Sequence, residues 1–353
     1  MKRGRIILTD TWRGRDCAVL ITDGAVQDLL VDADTDTPRP GAIYRAKTLR
    51  PMKGQGGLTL DLGTGKRGYL RHAKGIRPGQ VMLVQVTSFA GSGKASPVTP
   101  KLIFKGRYAA VTPGTPGWNL ARRIRNEAER DRLNGLVLEG MDGAAPNLGL
   151  IIRSAADGTE DRQIAEDIAT VRRLAEAVVE DVNGPPQLLV DAPTAEHAAR
   201  RDWPAPDEVL REAGCLANLG LDEVLDDLFH PAAPLPGGGM LVIEPTTAFV
   251  AVDVNTGGDT SFAAGLKANL GVAQELPRQL RLRGLGGQIV VDMAPMAQKE
   301  RCLVADAFRK SLRADRIETR IVGWTSLGHL ELQRKRVRIP LTLALGKTSG
   351  RPA

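Results

Sequence analysis

The chain has 353 residues, 42% of them hydrophobic and 25% charged, with a net charge of +7 and a pI near 9.5. That length suits two or three domains with cores of their own, and the composition argues against a disordered or fibrous chain. Three scattered cysteines without a Cys-x-x-Cys pair (Cys17, Cys215, Cys302) argue against a structural zinc site and suit a reducing compartment. No run of about eighteen apolar residues occurs, and Met1-Lys2-Arg3 opens no signal-peptide pattern, so a cytoplasmic protein without a membrane partner is expected. The positive excess favours a polyanionic partner.

Residues 5–32 read as a small β-meander, with Asp23-Gly24 as a hairpin turn between apolar runs. Residues 32–40 are a linker of aspartates and prolines. Five short strands are then expected at 43–49, 58–62, 68–70, 80–87 and 101–104, the size of an OB-fold barrel. Gly63-Thr64-Gly65-Lys66-Arg67-Gly68 matches G-x-G-x-x-G, but no helix can start at Tyr69-Leu70, so it reads as a glycine-rich hairpin turn. Tyr69 stands among Lys66, Arg67, Arg71 and Lys74. It either stacks a base of single-stranded nucleic acid or packs the barrel with its hydroxyl in water.

Residues 112–117 form a Pro-Gly junction, followed by Arg122, Arg123 and Arg125 near a helix start. A strand is expected at 149–154, ending in Arg153-Ser154, and a helix at 160–181 with Ile164, Ile168, Val171, Leu174, Ala175 and Val178 on one face. A strand at 188–190 and short helices near 194–200, 206–212 and 221–228 follow. After Pro236-Gly237-Gly238-Gly239, strands at 240–243, 248–254, 288–291, 319–322 and 330–333 and helices at 262–283 and 297–313 predict a two-layer α/β unit, with Pro277 expected to kink the first helix.

The chemistry concentrates at 248–293. Phe249-Val250-Ala251-Val252-Asp253-Val254-Asn255 and Gln288-Ile289-Val290-Val291-Asp292 are apolar, β-branched runs with an acid at or near the end, reading as buried strands that deliver carboxylates to a sheet edge. Magnesium takes oxygen ligands and keeps several waters, so Asp253 and Asp292 suffice as protein ligands. Asn255, two residues on, points to the same side of its strand. Each aspartate can equally end a strand or start a turn. The basic residues Arg281 and Arg283, and the run from Arg334 to Arg338, either face a phosphate backbone or are solvated faces.

Residues 249–256, 269–292 and 327–336 resemble the catalytic domain of the ribonuclease E/G family. The resemblance implies a multidomain α/β chain. An S-one-type OB-fold β-barrel (39–105) would be inserted in a discontinuous RNase H-like domain (1–38 and 185–238). A 5′-phosphate-sensor-like region (106–184), a DNase I-like two-layer α/β catalytic domain (239–345) and a loose tail (346–353) would complete it. It further implies that Asp253 and Asp292 bind Mg²⁺ with Asn255 in support, that Arg281 and Arg283 lie on the RNA side, and that Tyr69 and Lys66 guide the strand. Thr59 replaces a second RNA-facing aromatic. Arg153 and Ser154 stand where the family binds a 5′-monophosphate, while Gly117-Trp118-Asn119-Leu120 replaces its glycine-rich loop. The family's Cys-x-x-Cys zinc link is absent from the sequence, so the expected assembly is a monomer or an alternative dimer rather than a zinc-linked tetramer. The expected activity is Mg²⁺-dependent hydrolysis of single-stranded RNA to 5′-phosphate and 3′-hydroxyl ends. A non-catalytic RNA clamp and a DNA-directed nuclease are the alternatives.

Overall fold

The computed structural model describes residues 4–33, 37–51, 56–72, 74–91, 93–259 and 261–345. Two compact units emerge, one from Met1–Thr35 with Ala205–Ala353 and the other from Asp36–Pro204. The centre of the expected linker, residues 34–36, and the tail at 346–353 lie outside the described residues.

Strands β1 (Arg5–Trp12), β2 (Arg15–Thr22) and β3 (Ala25–Val31) form the meander that the sequence predicts. Alternation along β2 sends Cys17, Val19 and Ile21 into a core shared with Leu216, Leu221 and Leu225.

In the second unit, β4 (Ile43–Pro51), β5 (Gly57–Gly63), β6 (Lys66–Arg71), β7 (Val81–Val86) and β8 (Ser96–Thr99) run in the order β4-β5-β6-β8-β7. β7 returns to β4, with Tyr44 opposite Val84, and closes an OB-like five-stranded barrel. Closure leaves Tyr44, Leu60, Leu62, Leu70, Val84 and Val98 inside. The fifth strand is Ser96–Thr99 and not 101–104 as expected. Pro97 cannot donate to a ladder, which disguises that strand in the sequence. Thr64 and Gly65 both have positive φ (50° and 76°) in the β5–β6 turn, so the glycine pattern there is a hairpin.

Strands β9 (Phe104–Lys105), β10 (Ala109–Pro113), β11 (Gly117–Leu120) and β12 (Leu148–Ile152) form a sheet in the order β11-β12-β10-β9. Helices α1 (Glu127–Gly140) and α2 (Asp161–Glu180) bury Leu133, Val137, Ile164, Ile168 and Ala175 in this layer's core. Strand β13 (Gln187–Val190) pairs with β4, so these residues extend the barrel sheet, whereas the sequence grouped them with the first domain. Helix α3 (Ala195–Asp202) completes the unit.

Residues 206–212, expected to be helical, instead contain β14 (Glu208–Leu210), parallel to β1. Asp207 fixes the pairing by accepting from the Arg5 backbone N–H at 2.7 Å and donating its own N–H to the Arg5 carbonyl at 2.8 Å. Helices α4 (Cys215–Asn218) and α5 (Leu221–Asp226) follow.

The remaining elements are β15 (Ala232–Pro234), β16 (Met240–Pro245), β17 (Val250–Asn255), α6 (Phe262–Leu282), β18 (Gly287–Asp292), α7 (Arg301–Ala314), β19 (Thr319–Trp324), β20 (Leu330–Arg334) and α8 (Leu341–Ala344). Their sheet runs β15-β16-β17-β18-β20-β19. β17 and β18 are parallel, joined by α6 as the crossover, and α6 continues through Pro277 as one element. Period-two alternation sorts the faces. Val250, Val252, Val254, Ile289 and Val291 bury against Val272, Leu276 and Leu280 of α6 and Phe308 of α7. Asp253, Asn255 and Asp292 point to the opposite, open face.

Candidate active site

The two acids meet. Asp253 and Asp292 are direct Cα partners in the parallel β17–β18 ladder, so their side chains leave the same face about one strand spacing apart (roughly 5 Å). Both are exposed, as an acid bound for solvent or for an ion must be. Each has a nitrogen-bearing partner. Asn255 donates from Nδ2 to Asp253 Oδ2 at 2.8 Å, and His329 Nδ1 lies 3.1 Å from Asp292 Oδ1.

Among the described residues no lysine or arginine lies within 4.0 Å ion-pair reach of either aspartate. Nor is there a group of three or more His, Cys, Asp or Glu side chains spaced to cage a metal. Two carboxylates leaving one sheet face from adjacent strands offer oxygen donors side by side. Magnesium fits this donor set, because it binds through one or two carboxylates and otherwise keeps its waters.

The scaffold beneath the acids is specific. Asn269, fully buried in α6, donates from Nδ2 to the Ala294 carbonyl at 2.9 Å and accepts from the Ala294 N–H at 3.0 Å. Ala294 is two residues past Asp292, so α6 fixes the segment that leaves the site. One turn earlier, a Cβ on Gly265 would sit 1.9 Å from the Pro295 carbonyl oxygen; only glycine lets the helix come this close. Neither Asn269 nor His329 stands out in the sequence as a site residue. Asn269 carries a readable signal, a lone amide within an apolar helical face, because a buried amide must find partners. His329 precedes β20, whose Leu330 pairs with Val291, and only the tertiary register brings it opposite Asp292.

The arginines expected on the RNA side are committed to the protein itself. Arg283 is 7% exposed, donates to the His230 carbonyl at 2.6 Å and to Gln279 Oε1 at 3.1 Å, and burial lowers its pKa to about 10. Arg281 pairs with Asp315 at 2.9 Å and donates to the Gln27 carbonyl at 3.2 Å. Arg334 is fully buried and shares Asp315 at 2.6 Å. The structure therefore does not bring Arg281 or Arg283 to the aspartates' face; an arginine in the last turn of a helix whose face is buried satisfies carbonyls and acids instead.

On the barrel, Tyr69 and Lys66 of β6 are half-buried, and Tyr69 lies opposite Thr59 of β5. A Cβ on Gly57 would fall 2.3 Å from Tyr69 Oη, so the ring rests on bare backbone there. Arg153 follows β12 and is already engaged: Nη2 bonds Asp202 Oδ1 at 2.7 Å, and Nη1 donates to the Gly106 carbonyl and, at 3.2 Å, to that of Arg201. Burial would raise the Asp202 pKa, but Arg201 and Arg153 more than offset it and hold the carboxyl below its ordinary range. Ser154 is exposed beside this pair. Cys17 and Cys215 are buried in one core, and burial raises their thiols to about 12 and about 11.

The sequence matches the Ribonuclease E/G family over residues 103–211 and 209–337. It is 30% identical over 305 residues to Ribonuclease E of Nostoc sp., covering 74% of this chain and 44% of that protein. It is 28% identical over 384 residues to Ribonuclease G of Escherichia coli K12, covering 90% of this chain and 77% of that one. Ribonuclease E of Synechocystis sp. is 30% identical over 302 residues, with 74% and 44% covered. The chain thus spans less than half the length of the two ribonuclease E proteins and most of ribonuclease G. It is a mixed α/β protein with an OB-like barrel. It belongs to the ribonuclease E/G family.

Proposed function

We propose that the protein is a Mg²⁺-dependent endoribonuclease that hydrolyses single-stranded RNA to 5′-phosphate and 3′-hydroxyl ends. One observation carries the reading: Asp253 and Asp292 stand in register on an open sheet face, in a chain of this family. When bound between them, Mg²⁺ supplies positive charge against the scissile phosphate and makes a nearby water more acidic. Asp253 and Asp292 would hold the cation on the open sheet face. Asn255 restrains Asp253 by donating its amide to Oδ2. By the same reading, the sheet bearing the aspartates is a DNase I-like catalytic domain, β1–β3 belong to an RNase H-like domain, and Tyr69 with Lys66 on the barrel guides the strand by stacking and charge.

The arginine at the proposed 5′-phosphate site is held by Asp202. A 5′-phosphate would have to displace that carboxylate, which favours an enzyme with little preference for the state of the 5′ end.

The test uses a 5′-monophosphorylated single-stranded oligoribonucleotide, titrated with Mg²⁺. The parent protein is expected to give fragments only with the cation, and Asp253→Asn and Asp292→Asn to give none while retaining RNA binding. Undiminished cleavage by either variant would refute the assignment. Retention without fragments at any Mg²⁺ concentration would make the protein an RNA clamp.

A further inference from the structure

Three neighbouring strands deliver side chains to one point on the open sheet face. β17 brings Asp253, β18 brings Asp292, and the start of β20 brings His329. In the antiparallel β18–β20 ladder Val291 faces Leu330, so the next position on each strand sets Asp292 against His329. The result is a row in which each acid is bracketed by its own nitrogen donor: Asn255 on Asp253 and His329 on Asp292.

His329 is firmly held from behind. Thr325 donates its N–H to the His329 carbonyl at 2.8 Å, and the His329 N–H donates to Thr325 Oγ1 at 3.0 Å. The Gly328 N–H closes the turn onto the Thr325 carbonyl at 3.0 Å. Arg301 stacks over Trp324 with its guanidinium carbon 5.2 Å from the ring centre, bracing the hairpin stem. These bonds fix its backbone, its ring nitrogen faces Asp292, and its side chain is 29% exposed, so it is not a core residue.

We propose that His329 is a positioning residue for the cation site, an inference that rests on the metal-site reading above. Nδ1 stands 3.1 Å from Oδ1, where a hydrogen bond restrains the carboxylate plane and leaves Oδ2 as the oxygen that would face a cation. A carboxylate without it would rotate away from its like-charged neighbour whenever the cation leaves. The role needs a donor at the place of Nδ1, and not an imidazole as such. An asparagine amide reaches the same place; a leucine fills similar space and donates nothing.

The experiment follows Mn²⁺ binding to the whole chain, without RNA, by the loss of the free-ion paramagnetic resonance signal. The parent protein, His329→Leu, His329→Asn and Asp292→Asn are compared, each with a thermal melt. His329→Leu is expected to weaken Mn²⁺ binding by about tenfold or more, the usual effect of removing a ligand's hydrogen-bond partner. His329→Asn should restore most of that loss, with melts unchanged across the histidine variants. Asp292→Asn should abolish binding. Parent-like Mn²⁺ affinity in His329→Leu, or no recovery in His329→Asn, would overturn the positioning role and leave the metal site standing. No Mn²⁺ binding by the parent protein would overturn the metal-site reading itself, and this inference with it.

Discussion

Replacing Asn269 with leucine tests whether the helix beneath the site holds it in shape. The two side chains branch alike at Cγ, so the change removes polar atoms without opening a cavity. Asn269 is fully buried, and it satisfies both the N–H and the carbonyl of Ala294. Its loss removes two hydrogen bonds at about 1 kcal/mol net each and strands two backbone groups, a penalty of about 1–3 kcal/mol. The burial gained by leucine returns part of this, leaving a destabilisation of about 2–4 kcal/mol. For a unit of this size the melting temperature should fall by about 5–15 °C. Thermal melting followed by circular dichroism, alongside Mg²⁺-titrated cleavage, reads both consequences. The segment after Asp292 is freed, so cleavage at a temperature where the variant is folded should need more Mg²⁺ than the parent does. A melt within a degree of the parent's would refute the argument that this amide pins the segment.

The buried pair of Asp28 and Arg338 should behave differently. Asp28 is 2% exposed and bonded through both carboxylate oxygens by Arg338, with Arg316 3.9 Å away. Arg338→Met should cost about 3–5 kcal/mol in urea denaturation, since it leaves a buried charge without its main partner. Burial pushes the Asp28 pKa up, but Arg338 more than offsets it and holds the carboxyl below its ordinary value. A depressed folded pKa adds stability above the unfolded value of about 4, and that stability drains as pH falls through the folded one. The parent's urea midpoint should therefore drop more steeply below pH ~4 than that of Arg338→Met; parallel acid limbs would count against it. On the barrel, Tyr69→Ala should weaken binding of a single-stranded oligoribonucleotide by about 1–3 kcal/mol in fluorescence anisotropy, while Tyr69→Phe should match the parent. Gly57→Val should act like Tyr69→Ala by lifting the ring off its seat, and equal affinity in all four proteins would remove Tyr69 from the RNA path.

The alternation along 249–255 and 288–292 made the strands and the outward aspect of Asp253 and Asp292 readable, because a period of two admits one buried face. The barrel was readable for a similar reason, apart from Ser96–Thr99, where Pro97 masks a strand. β14 was not readable. Three residues preceded by Pro204 and Pro206 acquire extended structure only by pairing with β1, at the far end of the chain. The basic run around Arg281 and Arg283 misled in the opposite sense. Guanidinium groups look like phosphate ligands in a sequence, yet here carbonyls and Asp315 already occupy them. His329 escaped notice because its meaning lies in a strand order, β17-β18-β20, that no local pattern encodes.

The parallel pairing of β17 and β18 has a bearing on synthesis. A hairpin would return the second strand in the opposite direction, with its far end away from Asp253; only a crossover through all of α6 sets both acids at one edge. While the ribosome is still making the stretch after Asp253, that acid has no counterpart, and His329 is still to come. A chain interrupted at that stage carries the OB-like barrel without the paired acids. The pair thus forms only after α6 and β18 have been made and β18 has docked beside β17.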